Sequence, residues 1–287
     1  MALYFPASNE RINHGNNSSL NSLSNWSLLM WIRLISTSTT AQLGAKIGGG
    51  GSDVIFFVDD IGAGNGQFGF FRDRVSDFSS ATSAASTISL NTWAFIVMRD
   101  GTSQTPTLFK GDESTLAAEV SYDFQGGGTS AASNDSAGNL FIGGGASGNV
   151  ESNCEIAYVW LYNRMLSDTE VYLHQWNGWY QTDGCVLHTS YWNTSADGLK
   201  DLSPFGNHGT ANLTPDRVNH VSIPFRRRRQ IFVPTAVVGA SRVISPTKTA
   251  GKTGGGKRGG KQLAPLWVPP KPKIERPTPA IVRELRG

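Results

Sequence analysis

Short apolar or alternating runs, each closed by Gly, Asn, Asp or Ser, recur along the first two-thirds of the chain. ALYFP stands at 2–6 and NWSLLMWIRLI at 25–35. DVIFFVDD (53–60) and GQFGFFRD (66–73) flank a glycine-rich turn. NTWAFIVMRDG (91–101), TPTLFKGDES (105–114), NLFIGGG (139–145) and CEIAYVWLYNR (154–164) complete the series. Runs of this kind, rich in β-branched and aromatic residues, predict short strands of an antiparallel sandwich. Trp26, Trp31, Trp93 and Trp160 fall inside these runs and are expected in the core. One helix is predicted over LSDTEVYLHQWNG (166–178). Ser167 serves as its N-cap, Glu170 completes a capping box three residues on, and Gly178 suits the residue after the helix.

Residues 181–225 return to turn-rich sequence, and beyond Phe225 the composition changes. Of the 13 prolines, eight lie after residue 225, and no helical or long alternating pattern survives there. The chain therefore divides into a sandwich (1–180), a turn-rich extension (181–225) and an extended basic Pro/Gly-rich arm (226–287). Charge follows the same division. Residues 226–287 carry 15 Lys or Arg against two Glu, a net +13, whereas residues 1–225 carry 10 basic against 20 acidic residues, a net −10. An arm of that sign on an acidic body implies an acidic partner. Fully extended, the arm would reach about 190 Å.

Within the arm, TAGKTGGGKRGGK (249–261) contains the Gly-Lys-Thr ending of a phosphate-binding loop. That loop needs glycine five residues before Gly251, where this chain has Pro246, and no strand or helix pattern flanks it. A single Arg-Gly-Gly without interleaved aromatics makes nucleic acid the weaker partner. A tether fits better: a flexible Gly/Lys hinge between the apolar-proline segments IFVPTAVV and LAPLWVPP. Its expected anchoring residues are Arg226, Arg227, Arg228, Arg229, Lys252, Lys257, Arg258, Lys261 and Trp267.

Other chemistry is sparse. Two cysteines, Cys154 and Cys185, cannot build a disulfide framework or a four-thiolate zinc site, and are read as free thiols. No run of about 18 apolar residues predicts a membrane span. The opening residues read as a strand, not a signal peptide, so folding in a host cytoplasm is expected. His14, His174, His188, His208 and His220 are scattered, and no Gly-x-Ser-x-Gly elbow accompanies them.

Taken in order, these phrases resemble the concanavalin A-like lectin/glucanase superfamily in its laminin G-like branch. ALYFPASNERI is similar to the opening strand and turn, WSLLMWIRL and NTWAFIVMRDGTSQTPTLFKGDES to the next strands, and NLFIGGG with CEIAYVWLYNRMLSDTEV to the closing ones. The resemblance covers roughly residues 1–175 and implies an all-β jelly-roll β-sandwich with one short helix. DGLKDLSPFGNHGTANL (197–213) resembles a phrase that usually precedes the opening strand. Here it follows the helix, which leaves a permuted strand and a linker both open.

The resemblance carries three site expectations. Laminin G-like modules bind Ca²⁺ through loop oxygens, making Asp53, Asp59, Asp60, Asp73 and Asp77 weak metal candidates; no other cofactor is implied. Its glycosidases need a carboxylate pair. The Glu-x-Asp-x-x-Glu spacing is absent, and Glu151 and Glu155 share a strand face but are expected on a solvated one. Sugar binding would use late aromatics, Trp179, Tyr180, Tyr191 and Trp192. The combined expectation is a non-enzymatic structural protein of a virion, a bacteriophage in particular. It would decorate the capsid or head surface as a homo-oligomer, anchored through its C-terminal arm on neighbouring shell subunits. The alternatives are a carbohydrate-binding adhesion module and, lower, a diverged glycosidase.

Overall fold

The computed structural model describes residues 2–6, 9–36, 41–48, 53–59, 66–145, 153–177, 181–191 and 198–219. The arm, with its nine anchoring residues, lies outside the described residues, as do Asp60, Glu151, Trp179, Tyr180 and Trp192. In chain order the strands are β1 (Ala2–Phe5), β2 (Arg11–Asn13), β3 (Trp26–Leu34), β4 (Ala41–Ile47), β5 (Asp53–Asp59), β6 (Gln67–Asp73), β7 (Phe78–Ser83) and β8 (Trp93–Asp100). They continue as β9 (Thr107–Asp112), β10 (Ala118–Glu119), β11 (Tyr122–Gly126), β12 (Leu140–Ile142), β13 (Cys154–Tyr162), β14 (Cys185–Ser190), β15 (Thr210–Asn212) and β16 (Asp216–Val218). Helix α1 (Asp168–Asn177) separates β13 from β14.

Two eight-stranded antiparallel sheets form a jelly-roll sandwich. The first runs β10-β9-β8-β3-β13-β1-β16, with β14 also on β13; the second runs β11-β7-β6-β5-β4-β12-β2-β15. β13 organises the first sheet. One of its edges pairs with β3. Its other edge is shared end to end: Cys154–Ile156 take β1, and Tyr158–Tyr162 take β14. The chain after the helix thus returns to both sheets, β16 pairing with β1 and β15 with β2.

The core between the sheets follows from strand alternation. Leu28, Met30 and Ile32 of β3 and Ile96 and Met98 of β8 meet Phe56, Val58, Phe68 and Phe70 from the opposite sheet. Trp26 lies edge-on to both Phe56 (5.3 Å) and Phe70 (4.8 Å). A second apolar cluster fills the outer face of the first sheet: Trp31, Trp93, Phe95, Trp160 and Tyr162 pack there with Leu166 and Val171 from the helix region. All four strand tryptophans are buried, as their runs predict.

Helix α1 begins as its sequence dictates. The Ser167 amide and hydroxyl both donate to Glu170 Oε2, and the Glu170 amide donates back to Ser167 Oγ. Arg164 grips the other side of the Glu170 carboxylate. Its hydrogen bonds lower the Glu170 pKa to about 2. Gln175 then fixes the helix to the β9–β10 turn. Its amide nitrogen donates to the carbonyls of Asp112 and Thr115, and its oxygen accepts from the Ala117 amide. Gly111 is required there, because a Cβ at this position would lie 2.8 Å from the Ala117 backbone nitrogen and would also press on the Gln175 amide.

Charge locks the two sheets together. Asp100 of β8, fully buried, accepts from Arg72 (2.9 Å) and from Arg74 (2.8 Å) at and just beyond the end of β6. A second polar knot gathers the phrase at 198–209. The buried Asp201 carboxylate accepts from the amides of His188, Ser203 and Asn207 and from the Ser203 hydroxyl. Buried His14 joins this knot to β2. Its Nδ1–H donates to the Asn207 carbonyl (2.8 Å), so its Nε2 accepts from the Tyr191 hydroxyl (2.7 Å). Cys154 and Cys185 are free and buried.

Candidate functional site

The two outer faces of the sandwich differ. That of the first sheet is filled by the second apolar cluster. That of the second sheet presents residues that belong to neither buried cluster, among them Phe57, Phe71, Phe78, Phe124 and Phe141. Strand alternation places them: Phe56, Phe68 and Phe70 point inward, so Phe57 and Phe71 point outward.

Cross-strand register aligns this face into rows that run across the strands. One row reads Thr210–Asn13–Phe141–Ala45–Ile55–Phe71–Ser80–Gly126. A second, shorter row reads Gln42–Phe57–Gly69–Thr82–Phe124. Phe78 stacks on Phe71 at 5.6 Å, extending the aromatic surface toward the β6–β7 turn. Phe78 and Phe124 are nearly half exposed, while Phe57, Phe71 and Phe141 are half-buried. At the β12 end the Arg11 guanidinium covers the Phe141 ring at 4.2 Å and donates to the Gly145 carbonyl. The result is a broad apolar strip edged by amide and hydroxyl groups from Asn13, Gln42, Thr82 and Thr210.

The interior offers little space by comparison. A cavity of about 30 Å³ opens between the sheets beside Trp26, Phe56 and Arg72. That is one water's worth, too little for a sugar ring.

Of the aspartates that the resemblance marks for calcium, Asp53 and Asp73 lie at the same end of the β5–β6 pair, beside the Val54–Arg72 pairing, and Asp59 lies at the other end. Asp53 pairs with Ile47 and Asp59 with Gln67, at opposite ends of β5; six residue steps along the strand set them about 20 Å apart. Asp73 pairs with Phe78 at the β6–β7 turn. Asp77 spends its oxygens on the segment that follows β11, accepting from the amides of Thr129 and Ser130 and from the Ser130 hydroxyl. Those hydrogen bonds, the hydroxyl's first, lower its pKa. Among the described residues, no group of three or more His, Cys, Asp or Glu is arranged to hold a metal ion.

Two expectations are corrected. Glu155 is not on a solvated face: it is buried on the outer side of β13, directly opposite Arg33 of β3, and receives both Arg33 Nε (2.6 Å) and Nη2. Both of its oxygens are thereby engaged. Tyr191 is no surface aromatic; it is fully buried against His14, and burial raises its pKa well above the usual tyrosine range. The outward phenylalanine rows were absent from the sequence expectations. Their only local signal is that runs such as GQFGFFRD are apolar on both strand faces.

No known protein family's sequence pattern matches the chain, and no curated protein is recognisably related in sequence. Solved structures do resemble it. A putative carbohydrate binding protein from Bacteroides ovatus superposes with a TM-score of 0.51 at 13% identity, over 76% of this chain and 60% of that one. The heptameric SAP-like pentraxin of Limulus polyphemus gives 0.45 at 12% identity, over 60% of this chain and 80% of that one. The enzymatically active domain of tailspike protein 2 from bacteriophage CBA120 gives 0.43 at 12% identity, over 66% and 28%. The Bacteroides protein carries the comparison, and this chain spans 60% of its length. The agreement is one of fold.

Proposed function

We propose that this chain is a non-catalytic carbohydrate-binding module whose glycan site is the outward face of the second sheet. The observation that carries this reading is the pair of register-aligned rows centred on Phe71 and Phe57. Aromatic faces edged by amide and hydroxyl groups suit sugars, whose rings have apolar C–H faces and polar rims. The fold shared with a putative carbohydrate binding protein supports the same reading. Non-catalytic status is supported by Glu155, whose carboxylate is held by Arg33 and so is unsuited to act as acid or nucleophile. A glycan array probed with the full chain tests the proposal. Selective retention that Phe71→Ala weakens is expected; silence across a broad array would refute it.

A second reading concerns where the module is displayed, and the charge division favours it. A net +13 over residues 226–287 beside a net −10 over residues 1–225 suits an arm that anchors the module to an acidic surface. On this reading the protein folds in a host cytoplasm and decorates a bacteriophage head. Several copies stand on neighbouring shell subunits. Deleting residues 226–287 should free the protein from particles while the sandwich stays folded. Particles that keep their full complement of the truncated protein would sink this second reading and leave the first intact.

A further inference from the structure

From the composition and length of the two rows, we infer that the ligand of this face is an unbranched, uncharged polysaccharide lying across the strands, bound along its length and without calcium. The inference rests on the carbohydrate-binding reading and specifies its ligand.

Charge sets the first constraint. Neither row contains Asp, Glu, Lys or Arg, although the longer one crosses the whole sheet. The acidic groups flank the rows: Asp53 and Asp59 at the two ends of β5, Asp73 opposite Phe78, Asp77 in the following turn, and exposed Asp123 on edge strand β11. A uronate or sulfated polymer crossing the strip would pass these carboxylates on a body of net charge −10. Arg11, the cation nearest the rows, is already drawn onto Phe141 and the Gly145 carbonyl. A neutral chain meets no such repulsion, and it desolvates no charged group as it covers the phenylalanines.

Shape sets the second constraint. Terminal-sugar recognition needs a pocket that closes around one ring. The outward face is a strip, with glycines at Gly69 and Gly126 lowering its floor between aromatic rings. From Phe141 on β12 to Phe124 on β11 is five strand steps, about 24 Å at the usual spacing. That length suits several consecutive sugars. The rings lie along the direction perpendicular to the strands, so the glycan axis follows the rows.

The third constraint is the lack of any convergent acidic or histidine cluster among the described residues. Affinity then comes from stacking and neutral hydrogen bonds, which a chelator leaves untouched.

The experiment is affinity electrophoresis of the full chain through gels containing a neutral β-glucan, xylan or mannan, or an acidic alginate or polygalacturonate. Each is run with and without EDTA. Isothermal titration against a mono- to hexasaccharide series of the retarding polymer completes the set. Retardation by a neutral polymer, unchanged by EDTA, is expected, with affinity rising over the first several sugars. Phe71→Ala and Phe57→Ala should each weaken binding about tenfold, the worth of one stacking contact, while leaving the melting temperature near its original value. Phe57→Gln serves if either alanine variant unfolds. Equal retardation by acidic polymers, full affinity for a monosaccharide, or loss of binding in EDTA would overturn this inference and leave carbohydrate binding standing. Retention by none of the polymers, together with a silent array, would remove both.

Discussion

The two sheets obey one alternation rule and end with opposite outer faces. On the first, Trp31, Phe95, Trp160 and Tyr162 are sealed in an apolar cluster with Leu166 and Val171. Some polar atoms of that layer are paired within it: the Tyr162 hydroxyl meets His174 Nε2 at 2.7 Å, and His174 Nδ1 donates to the Glu170 carbonyl. On the second, the outward rings are phenylalanines, which bring no polar atom to satisfy, and they remain partly exposed. The same pleated surface thus serves as core in one sheet and as a contact face in the other. What separates them is the covering element and its capping box.

That contrast can be broken from either side. The largest effect should come from Asp100→Ala, which strands Arg72 and Arg74 without their shared carboxylate between the sheets. A loss of about 3–5 kcal/mol is expected in urea unfolding. Trp160→Ala, under the helix, should cost a similar ~3–5 kcal/mol through the cavity it leaves. By contrast, Phe71→Ala on the open face should shift the unfolding midpoint by well under 1 kcal/mol, because its ring is not part of a buried cluster. A Phe71→Ala cost as large as that of Trp160→Ala would mean the second sheet's outer face is core after all.

Acid sharpens the comparison next. Burial lowers the pKa of His14, His174 and His188 from 6.5 to about 4. A folded-state pKa below the unfolded one means the unfolded chain binds more protons in that range. Stability is therefore fully present above pH 6.5 and falls as pH drops toward 4. Each histidine contributes up to about 3 kcal/mol to that loss. His174 and His188 flank Trp160, at 5.6 and 5.7 Å, so the covered layer carries two of the three. Urea midpoints measured from pH 7 to 4 should decline steeply, and His174→Gln should flatten the curve. An unchanged slope in that variant would contradict the burial argument. The smallest effect belongs to the cap: Ser167→Ala should cost about 1 kcal/mol, read as a small drop in melting temperature with no change in glycan retention.

Much of this architecture was legible from the chain. Strand runs, buried tryptophans and the Ser167–Glu170 cap are local patterns, and local physics reads them. What stayed hidden depends on which residue faces which across the sandwich. GQFGFFRD is apolar on both faces, so nothing within it tells that Phe68 and Phe70 turn inward and Phe71 outward. Glu155 looks solvated until the β3–β13 register sets it against Arg33. Tyr191 stands at a strand end beside polar residues, and its burial depends on His14, which arrives from β2. The outward rows are wholly a product of register, assembled from segments scattered between Asn13 and Thr210.

The divided edge of β13 also sets a timetable. β1 must find Cys154–Ile156 on one side and Asp216–Val218 on the other. During synthesis β1 therefore has no partner until β13 has followed it, and β16 joins it later still. Such remote pairings make folding slow. Until then Leu3 and Phe5, both fully buried in the folded sandwich, wait in the open, which leaves a newborn copy vulnerable to aggregation until β13 and β16 have emerged.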